Sequence, residues 1–347
     1  KGHIWPRSPN PDGTFMGALT AVRADSGARW TASDVRRRAD FSLRCAYGHG
    51  TSAIRTHLDS APPQDDIAWP IFADLRDDWQ GRIDLQAACL IGCEDFSTDG
   101  AFAHTADLVA EHGGVLGMVT YPVPDIETRV RDFMNMAAAR GLSADFHVDE
   151  TLDANSNTLR LIAELVLETG FAAPVVVGHC CSVSAMSEDA ALHTLDLVAK
   201  AGLHVVSLPM CNLYLQDRQT ARTPRMRGIT LVHEMKARGI NVSFASDNTR
   251  DPFYAYGDLD MLEVLREDGS PCEPGEIGRV VVTDLHNYAT PLIRYDCGDY
   301  AEVGEPCTCG RAFGTLRRIV GRERNLVLRP DGRRVWPNFG LYSLSQD

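Results

Sequence analysis

Imidazole, carboxylate and amide side chains stand at the ends of several short apolar segments of this sequence. Five of them follow three such segments in chain order: His147 with Glu150, then His179, then Asp247 with Asn248. Imidazole nitrogen and carboxylate oxygen together suit a borderline divalent ion such as zinc or iron(II), and a carboxylate beside such an ion can carry a proton. A single histidine at the end of such a segment is usually an ordinary hydrogen-bonded residue. Three successive segments that each end in a possible ligand favour one metal site.

The elements that must position these side chains alternate along the chain. Between residues 53 and 248, short apolar or β-branched runs alternate with longer segments of helical period, which is typical of βα units around a parallel sheet. We predict helices that include Ser156–Thr169, Glu188–Ala201 and Thr230–Arg238. We predict seven strands, at Ala53–Asp59, Arg82–Ile91, Gly114–Tyr121, Ala144–Glu150, Pro174–Cys181, His204–Asn212 and Asn241–Asn248.

The predicted fold class is α/β, a TIM-type (β/α)8 barrel that lacks its first strand. In such a barrel the carboxyl ends of the strands form the catalytic face, where the polar side chains above would meet. After about Val264 the chain becomes rich in Gly, Pro and Arg and loses the helical period. We therefore predict a barrel over residues 1–263 and a small α+β module over residues 264–347.

Length and composition restrict the function classes. The 347 residues suffice for one barrel of roughly 250 residues and a second module. The formal net charge of -13 would repel a nucleic acid backbone, and the apolar runs are far shorter than the roughly 20 residues that span a bilayer. Ten cysteines at irregular spacings, without an apolar leader, argue against a disulfide framework. We expect a cytoplasmic protein that acts on a small molecule, with no nucleic acid or membrane partner.

Six stretches of the chain form longer motifs in a fixed order. They are Arg55–Asp59, Asp145–Glu150, Gly178–Ser182, Leu208–Arg218, Thr223–Thr230 and Ser246–Asp258. Over about residues 1–263 these motifs resemble cytosine deaminase and its relatives in the metal-dependent amidohydrolase superfamily. The resemblance implies a hydrolase that acts on a C–N bond of a cyclic amidine and releases ammonia from cytosine or a related amino-heterocycle. It also implies one divalent ion, iron(II) or zinc, and leaves a homo-oligomer open.

The same resemblance implies roles for individual residues. His147 and Asp247 would bind the metal, and Asp247 would also accept a proton from the attacking water. Glu150 would carry a proton to the ring nitrogen, and His179 would orient the attacking oxygen. Asn248 would contact the substrate, at a position where bacterial cytosine enzymes tend to carry a second acid.

Two features of the sequence depart from the family pattern. The first metal-binding element of the family is a His-x-His strand that should lie immediately before Lys1. We therefore expect a barrel without its first strand and a chain of weak or no activity. The chain has Leu90–Cys93 where the cytosine enzymes carry a base-reading glutamine, which leaves the heterocycle open. We do not expect His3 to be a ligand, and we predict that His57 and His104 are structural.

Three short motifs follow in the second part of the chain, at Gly275–Val281, Thr290–Asp299 and Arg318–Arg322. From about residue 265 to residue 337 the chain resembles the C-terminal part of phenylacetate-CoA ligase-like, adenylate-forming enzymes. This resemblance implies that Asp299 would hold the ribose hydroxyls of ATP and that Arg322 would lie near a hinge. The sequence upstream shows no Ser/Thr/Gly-rich phosphate loop, which argues against adenylation. An ATP-binding, ligase-like module and a non-catalytic relict of a gene fusion are the alternatives.

Overall fold

Two compact units make up the part of the chain that can be described. In the computed structural model the described residues are 1–49, 51–97, 100–218, 221–226, 228–257, 259, 263–265, 272–284, 292–305, 315–322, 327–329 and 334–335. The first unit is drawn largely from Lys1–Leu43 and Ser52–Asp258, and the second from Arg44–Thr51, Leu259–Leu285 and Thr290–Asp347. The predicted division between residues 263 and 264 stays a prediction.

Parallel strands form the centre of the first unit. They are β1 (Ala53–Asp59), β2 (Asp84–Leu90), β3 (Leu116–Thr120), β4 (Ala144–Val148), β5 (Val175–His179), β6 (His204–Ser207) and β7 (Val242–Phe244). β1 pairs with β2, and β3 to β7 pair in sequence order. Two single parallel bridges, Ala88 with Val115 and Gly92 with Val119, connect these two groups. The predicted parallel α/β architecture is therefore observed, and closure into a (β/α)8 barrel stays a prediction.

Helices precede the first strand and connect the strands that follow. They are α1 (Phe15–Arg29), α2 (Ala32–Gly48), α3 (Gln64–Asp78), α4 (Gly100–Glu111), α5 (Ile126–Ala139), α6 (Thr158–Thr169), α7 (Glu188–Lys200), α8 (Pro209–Leu215) and α9 (Val232–Ala237). Parallel neighbours need such crossover connections, because the chain must return to the same end of the sheet before each strand. Among the helices of the described residues, none has the length and apolar character needed to cross a bilayer.

The structure corrects the ends of two predicted strands. The strand predicted from His204 to Asn212 ends at Ser207, and the residues from Pro209 onward form α8. Proline cannot donate to a strand ladder but suits the first turn of a helix, so Pro209 starts α8. β7 ends at Phe244 rather than Asn248, since Asp247 has a left-handed φ of 60° that a strand cannot accommodate.

The parallel sheet is strongly curved. The ring of His57 on β1 lies 4.5 Å from the ring of His147 on β4, centroid to centroid. In a flat sheet, three strand spacings of about 4.8 Å would separate these strands by roughly 14 Å. The inner face of the curved sheet therefore brings side chains of distant strands into contact. Because alternate residues share one face of a strand, Asp145 and His147 both lie on this inner face.

The outer face of the same strand supplies the apolar core. Ala144, Phe146 and Val148 of β4 are fully buried, and the ring of Phe146 lies 4.9 Å from that of Phe133 on α5. Burial of a large apolar side chain contributes about 2 to 3 kcal/mol. Packing of the outer face against the helices thus holds β4 in the register that turns His147 inward.

Antiparallel strands form the described part of the second unit. They are β8 (Glu263–Leu265), β9 (Ile277–Asp284), β10 (Leu292–Gly304) and β11 (Thr315–Arg322), in the order β11-β10-β9-β8. A short pair follows, β12 (Val327–Leu328) with β13 (Arg334–Val335). The described residues between 263 and 335 contain no helix, so the α+β character predicted for this module stays a prediction.

A charged network ties together the segment that precedes β1. Arg7 donates to both oxygens of Asp34, at 2.7 and 2.9 Å, and to Asp25 at 2.8 Å. Arg38 donates to Asp34 at 2.8 Å, and the indole of Trp30 donates to Asp25 at 2.9 Å. The hydrogen bonds from Arg7 and Arg38 outweigh burial and hold the pKa of Asp34 well below its usual range. The network therefore fixes α1 and α2 to the N-terminal segment.

We expect Asp34→Ala to lower the free energy of unfolding by about 3 kcal/mol, because it leaves the guanidinium groups of Arg7, Arg37 and Arg38 without their shared carboxylate. The side chain of Asp34 is only 8% exposed. Asp74→Ala is the matched control, since Asp74 is 70% exposed in its ion pair with Arg36 and should contribute under about 1 kcal/mol. Urea unfolding followed by circular dichroism measures both values. Equal losses in the two variants would contradict the stabilising role of the network.

The carboxyl of Asp34 also determines how the stability of the fold changes with pH. A carboxyl whose pKa is lower in the folded than in the unfolded chain stabilises the fold above the ordinary aspartate pKa of about 3.9, and this contribution is lost as the pH falls. We expect the difference in unfolding free energy between the wild type and Asp34→Asn to be full at neutral pH and to shrink below about pH 4. Unfolding curves recorded across this range provide the measurement. A difference that does not change with pH would show that Asp34 is not the titrating group.

Candidate active site

Polar side chains from three strand ends meet on one side of the curved sheet. The ring of His147 on β4 lies 5.0 Å, centroid to centroid, from that of His179, the last residue of β5. Glu150 follows β4, and its Oε1 lies 3.6 Å from Nδ1 of His179. One ligand atom each of Glu150, His179 and Asp247 lies within 4.8 Å of the others. The structure thus brings together these four residues, and their individual roles stay predictions.

The backbone at two of these positions has an unusual conformation. His179 has φ 65° and Asp247 has φ 60°, both in the left-handed region that residues with a Cβ rarely adopt. Such a conformation costs about 1 kcal/mol or more and persists only where the surrounding structure enforces it. His179 is the last residue of β5, and Asp247 lies three residues after the end of β7. These two positions therefore have the local strain that is typical of functional sites.

Burial changes the protonation chemistry of the cluster. Burial, together with the neighbouring imidazoles of His57 and His179, lowers the pKa of His147 well below its usual range. A neutral imidazole is the form that binds a metal. Burial also raises the pKa of Glu150 to about 7, an effect that Asp247 reinforces and His179 opposes. A carboxyl with this pKa can both give and take a proton near neutral pH.

Two buried atoms of the cluster have no hydrogen-bond partner among the described residues. They are Nε2 of His179 and Oδ2 of Asp247. Because an unpaired buried polar atom costs free energy, these atoms point to a bound group, either a divalent ion or a water molecule. The nitrogen and carboxylate donors present fit a borderline ion such as zinc or iron(II). The described residues therefore contain candidate metal ligands.

Two amides for which no site role was predicted contact Glu150, one on α8 and one directly after it. Asn212, 1% exposed, donates from Nδ2 to Oε1 of Glu150 at 3.1 Å and lies 3.0 Å from Nδ1 of His179. Gln216, one helical turn later, donates to the backbone oxygen of Glu150 at 3.1 Å. Their i and i+4 spacing, which places both on one face of a helix, was the available signal. It was obscured because this segment was assigned to a strand.

Asn248 and a buried thiol form a further contact. The Nδ2 atom of Asn248 donates to Sγ of Cys211 at 3.3 Å. Burial raises the pKa of Cys211 well above its usual range, so the thiol stays protonated. The substrate contact predicted for Asn248 stays a prediction.

A second group of candidate metal ligands lies beside the first, formed by His57, Asp145 and His147. Asp145 is already bound on both oxygens, to Nε2 of His57 at 2.9 Å and to Nη1 of Arg55 at 3.3 Å. These contacts pair the buried charge of Asp145, and the structural role predicted for His57 stays a prediction. His104 instead forms an exposed pair with Asp66 at 2.8 Å.

The residues predicted to bind nucleotide belong to the second unit. Asp299 on β10 and Arg322 on β11 are register partners in the antiparallel pair. The sheet thus places these two positions directly opposite each other. Their nucleotide-binding role stays a prediction.

A family profile described as Amidohydrolase family matches residues 74–283, which is more than half of the chain. The chain belongs to the amidohydrolase family. The matched residues include the ends of β4, β5 and β7 and therefore the whole cluster of His147, Glu150, His179 and Asp247.

Two similar proteins are deaminases. The pterin deaminase of Rhizobium rhizogenes is 55% identical over 267 residues, which cover 77% of this chain and 61% of that protein. The chain thus spans less than two thirds of the length of this relative. The structure of 5-methylcytosine deaminase from Klebsiella pneumoniae aligns with a TM-score of 0.64 at 25% identity, over 73% of this chain and 61% of that one.

A shorter similarity concerns a different protein class. The phenylacetate-coenzyme A ligase of Thermus thermophilus is 34% identical over 92 residues, which cover 26% of this chain and 21% of the ligase. This match is too short to carry the activity of the ligase.

The loop that carries Glu150 depends on a buried carboxylate. Asp149, fully buried, accepts hydrogen bonds from the hydroxyls of Ser156 and Thr158, each at 2.6 Å, and from the backbone N–H of Leu159 at 3.1 Å. These contacts hold the loop against the first turn of α6. Asp149 therefore fixes the position from which Glu150 reaches the site.

We expect Asp149→Ala to destabilise the fold by about 3 kcal/mol, since it removes three hydrogen bonds to one buried carboxylate. The control is Asp153→Ala in the same loop, where the side chain is exposed and the change should stay within about 0.5 kcal/mol. Thermal and urea unfolding give both values. If the two variants unfold alike, the loop does not depend on Asp149.

Proposed function

We propose that the protein catalyses the hydrolytic deamination of an amino-substituted heterocycle and releases ammonia. The observation that carries this proposal is the cluster of Glu150, His179 and Asp247, in which burial raises the pKa of Glu150 to about 7. Deamination needs a group that takes a proton and returns it at neutral pH, which a carboxyl of this pKa can do.

The substrate class follows from the chemistry that the similar proteins share. Pterin and cytosine both contain a ring nitrogen joined to an amino-bearing carbon, and water replaces the amino group in each. Identity to the pterin deaminase is much higher than to the 5-methylcytosine deaminase, so we propose a pterin as the first candidate and cytosine as the second. Leu90 ends β2 and Ile91 follows it, at the place where the resemblance puts a base-reading glutamine in the cytosine enzymes.

The residues of the cluster have distinct proposed roles. His147 and Asp247 would hold a zinc or iron(II) ion, which supplies Lewis acidity that lowers the pKa of water toward neutrality. Asp247 accepts a proton from the attacking water. Glu150 protonates the ring nitrogen next to the carbon that is attacked, which makes that carbon more electrophilic. Proton transfer to the amino group then lets ammonia leave. His179 orients the attacking oxygen.

In protein with a His-x-His strand restored before Lys1, we expect ammonia release from pterin, cytosine, isocytosine or an aminotriazine, and a fall of about 100-fold or more in kcat for Glu150→Gln. The variant keeps the size of the side chain but cannot cycle a proton. Glu164→Gln, an exposed position paired with Arg160 on α6, is the control and should retain full activity. Coupled ammonia assays and metal analysis are performed on the same samples. Loss of activity with metal retained supports the proton-transfer role, and unchanged activity in Glu150→Gln rejects it.

Removal of metal should abolish ammonia release, because in the proposed mechanism the ion is the group that lowers the pKa of the attacking water toward neutrality. We expect dialysis against a chelator to remove the activity and stoichiometric zinc or iron(II) to restore it. The measurement is ammonia release against bound metal per chain. Full activity in protein shown to be free of metal would reject the proposed metal dependence.

A ligase-like activity is the second candidate function. It is favoured by the 92-residue similarity to the phenylacetate-coenzyme A ligase and by the pairing of Asp299 with Arg322 across β10 and β11. Adenylation would appear as exchange of labelled pyrophosphate into ATP in the presence of an aryl acid. We expect no exchange, since the sequence shows no phosphate-binding loop to hold the triphosphate.

A further inference from the structure

The side chain of Asn212 contacts two groups of the candidate site, the carboxylate of Glu150 and the imidazole of His179. Its Nδ2 lies 3.1 Å from Oε1 of Glu150 and 3.0 Å from Nδ1 of His179. The side chain is 1% exposed, and no step of the proposed mechanism uses it. A buried amide between a carboxylate and an imidazole restricts which of their atoms can carry a proton.

The orientation of this amide follows from hydrogen-bond chemistry. An NH2 group has two hydrogens, so Nδ2 of Asn212 can donate to the carboxylate of Glu150 and to Nδ1 of His179 at the same time. The opposite orientation would place the amide oxygen against the carboxylate oxygen of Glu150, and both atoms are acceptors. Only the first orientation satisfies all three groups while Glu150 is ionised. Nδ1 of His179 is therefore an acceptor.

The tautomer of His179 then follows. A neutral imidazole has one protonated nitrogen, and with Nδ1 accepting, the proton must be on Nε2. This Nε2 is buried and has no hydrogen-bond partner among the described residues. A protonated nitrogen has no free lone pair for a metal, but it can donate to an oxygen. The atom that the cluster leaves unpaired is thus a hydrogen-bond donor.

We propose that Asn212 is a positioning residue that fixes the tautomer of His179, so that the Nε2–H donates to the oxygen of the attacking water. The inference rests on the proposed deamination for the identity of that oxygen, whereas the tautomer itself rests on the two contacts of Asn212 in the state in which Glu150 is ionised. With this proton on Nε2, His179 cannot bind the metal through that atom. Asp247 is then the metal-binding residue among Glu150, His179 and Asp247.

The elements around Asn212 hold the amide in place. Asn212 lies in the middle of α8, which begins at Pro209, and its backbone oxygen accepts from the N–H of Gln216 at 2.9 Å. The side chain of Gln216 is in turn bound to the backbone oxygen of Glu150. His179 is held at a left-handed φ of 65°. Helix α8 therefore holds the amide of Asn212, the side chain of Gln216 holds the backbone of Glu150, and the left-handed backbone conformation of His179 holds its ring.

Nitrogen-15 NMR of histidine side chains tests the proposal without metal or substrate. Long-range proton–nitrogen correlations distinguish a protonated from an unprotonated ring nitrogen, and the His179→Gln variant assigns the signals. In the wild type we expect His179 to show an unprotonated Nδ1 and a protonated Nε2. A ring protonated on Nδ1, or on both nitrogens, would overturn the proposal, and this readout needs no folded variant of Asn212.

Two variants and a matched control sharpen the test. Asn212→Ala should give a mixture of tautomers, and Asn212→Asp should move the proton to Nδ1, because a carboxylate can only accept. Asn241→Ala is the control, since the exposed amide of Asn241 lies 3.2 Å from Nδ1 of His204 in the same kind of pair. It should leave the His179 signals unchanged. An unchanged His179 tautomer in a folded Asn212→Ala protein would show that Asn212 does not set it.

Activity provides a separate readout. If ammonia is released, Asn212→Ala should lower kcat only by a factor of about 2 to 5, the share of His179 that loses its Nε2–H, with a small change in KM. Asn212→Asp, which moves the proton to Nδ1, should lower kcat by about 100-fold, the effect of losing one donor to a reacting oxygen. Failure of the proposed deamination would appear as no ammonia from the wild type, with the tautomer still measurable by NMR. Failure of the present inference would appear as active protein with the wrong tautomer.

Discussion

The parallel register of β4 and β5 is the constraint on which the site depends. In this register His147 lies opposite Gly178, and Val148 lies opposite His179. A shift by one residue would exchange the two faces of a strand, so that the imidazole of His147 would point into the apolar core and Phe146 into the polar interior. The packing of Phe146 against α5 opposes such a shift. Apolar burial on one face of the sheet therefore determines the position of polar chemistry on the other.

A close approach between strands supports the same arrangement. A Cβ at Gly117 of β3 would lie 2.0 Å from the backbone oxygen of Cys89 and 3.2 Å from that of Asp145. The absence of a side chain at this position lets β2, β3 and β4 come together. The curvature that results brings His57 from β1 to His147, across the interior of the sheet. Asp145 binds His57 and Arg55 there, so that its buried charge is paired.

The candidate site combines groups that a protein interior normally disfavours. A carboxyl, two imidazoles and a second carboxylate lie within a few ångströms of one another, with His179 buried and the other three half-buried, and backbone strain is present at His179 and Asp247. The cost of this arrangement is offset elsewhere in the first unit, through the apolar face of the sheet and the Arg7 network. The amide of Asn212 donates a hydrogen bond to the side chain of Glu150, and the amide of Gln216 donates one to its backbone oxygen. The site is therefore assembled by neighbours that do no chemistry themselves.

The sequence by itself determined the alternation of parallel strands and helices, because hydrophobic period is a local property. It also identified His147, Glu150, His179 and Asp247 as groups at strand ends, and the amidohydrolase family through ordered motifs. Only the tertiary structure decided that Asn212 lies on a helix, where it meets His179 and Glu150, which are 33 and 62 positions away in the chain. The pKa of Glu150 and the proton position on His179 depend on burial and on these distant partners. No local pattern of residues contains that information.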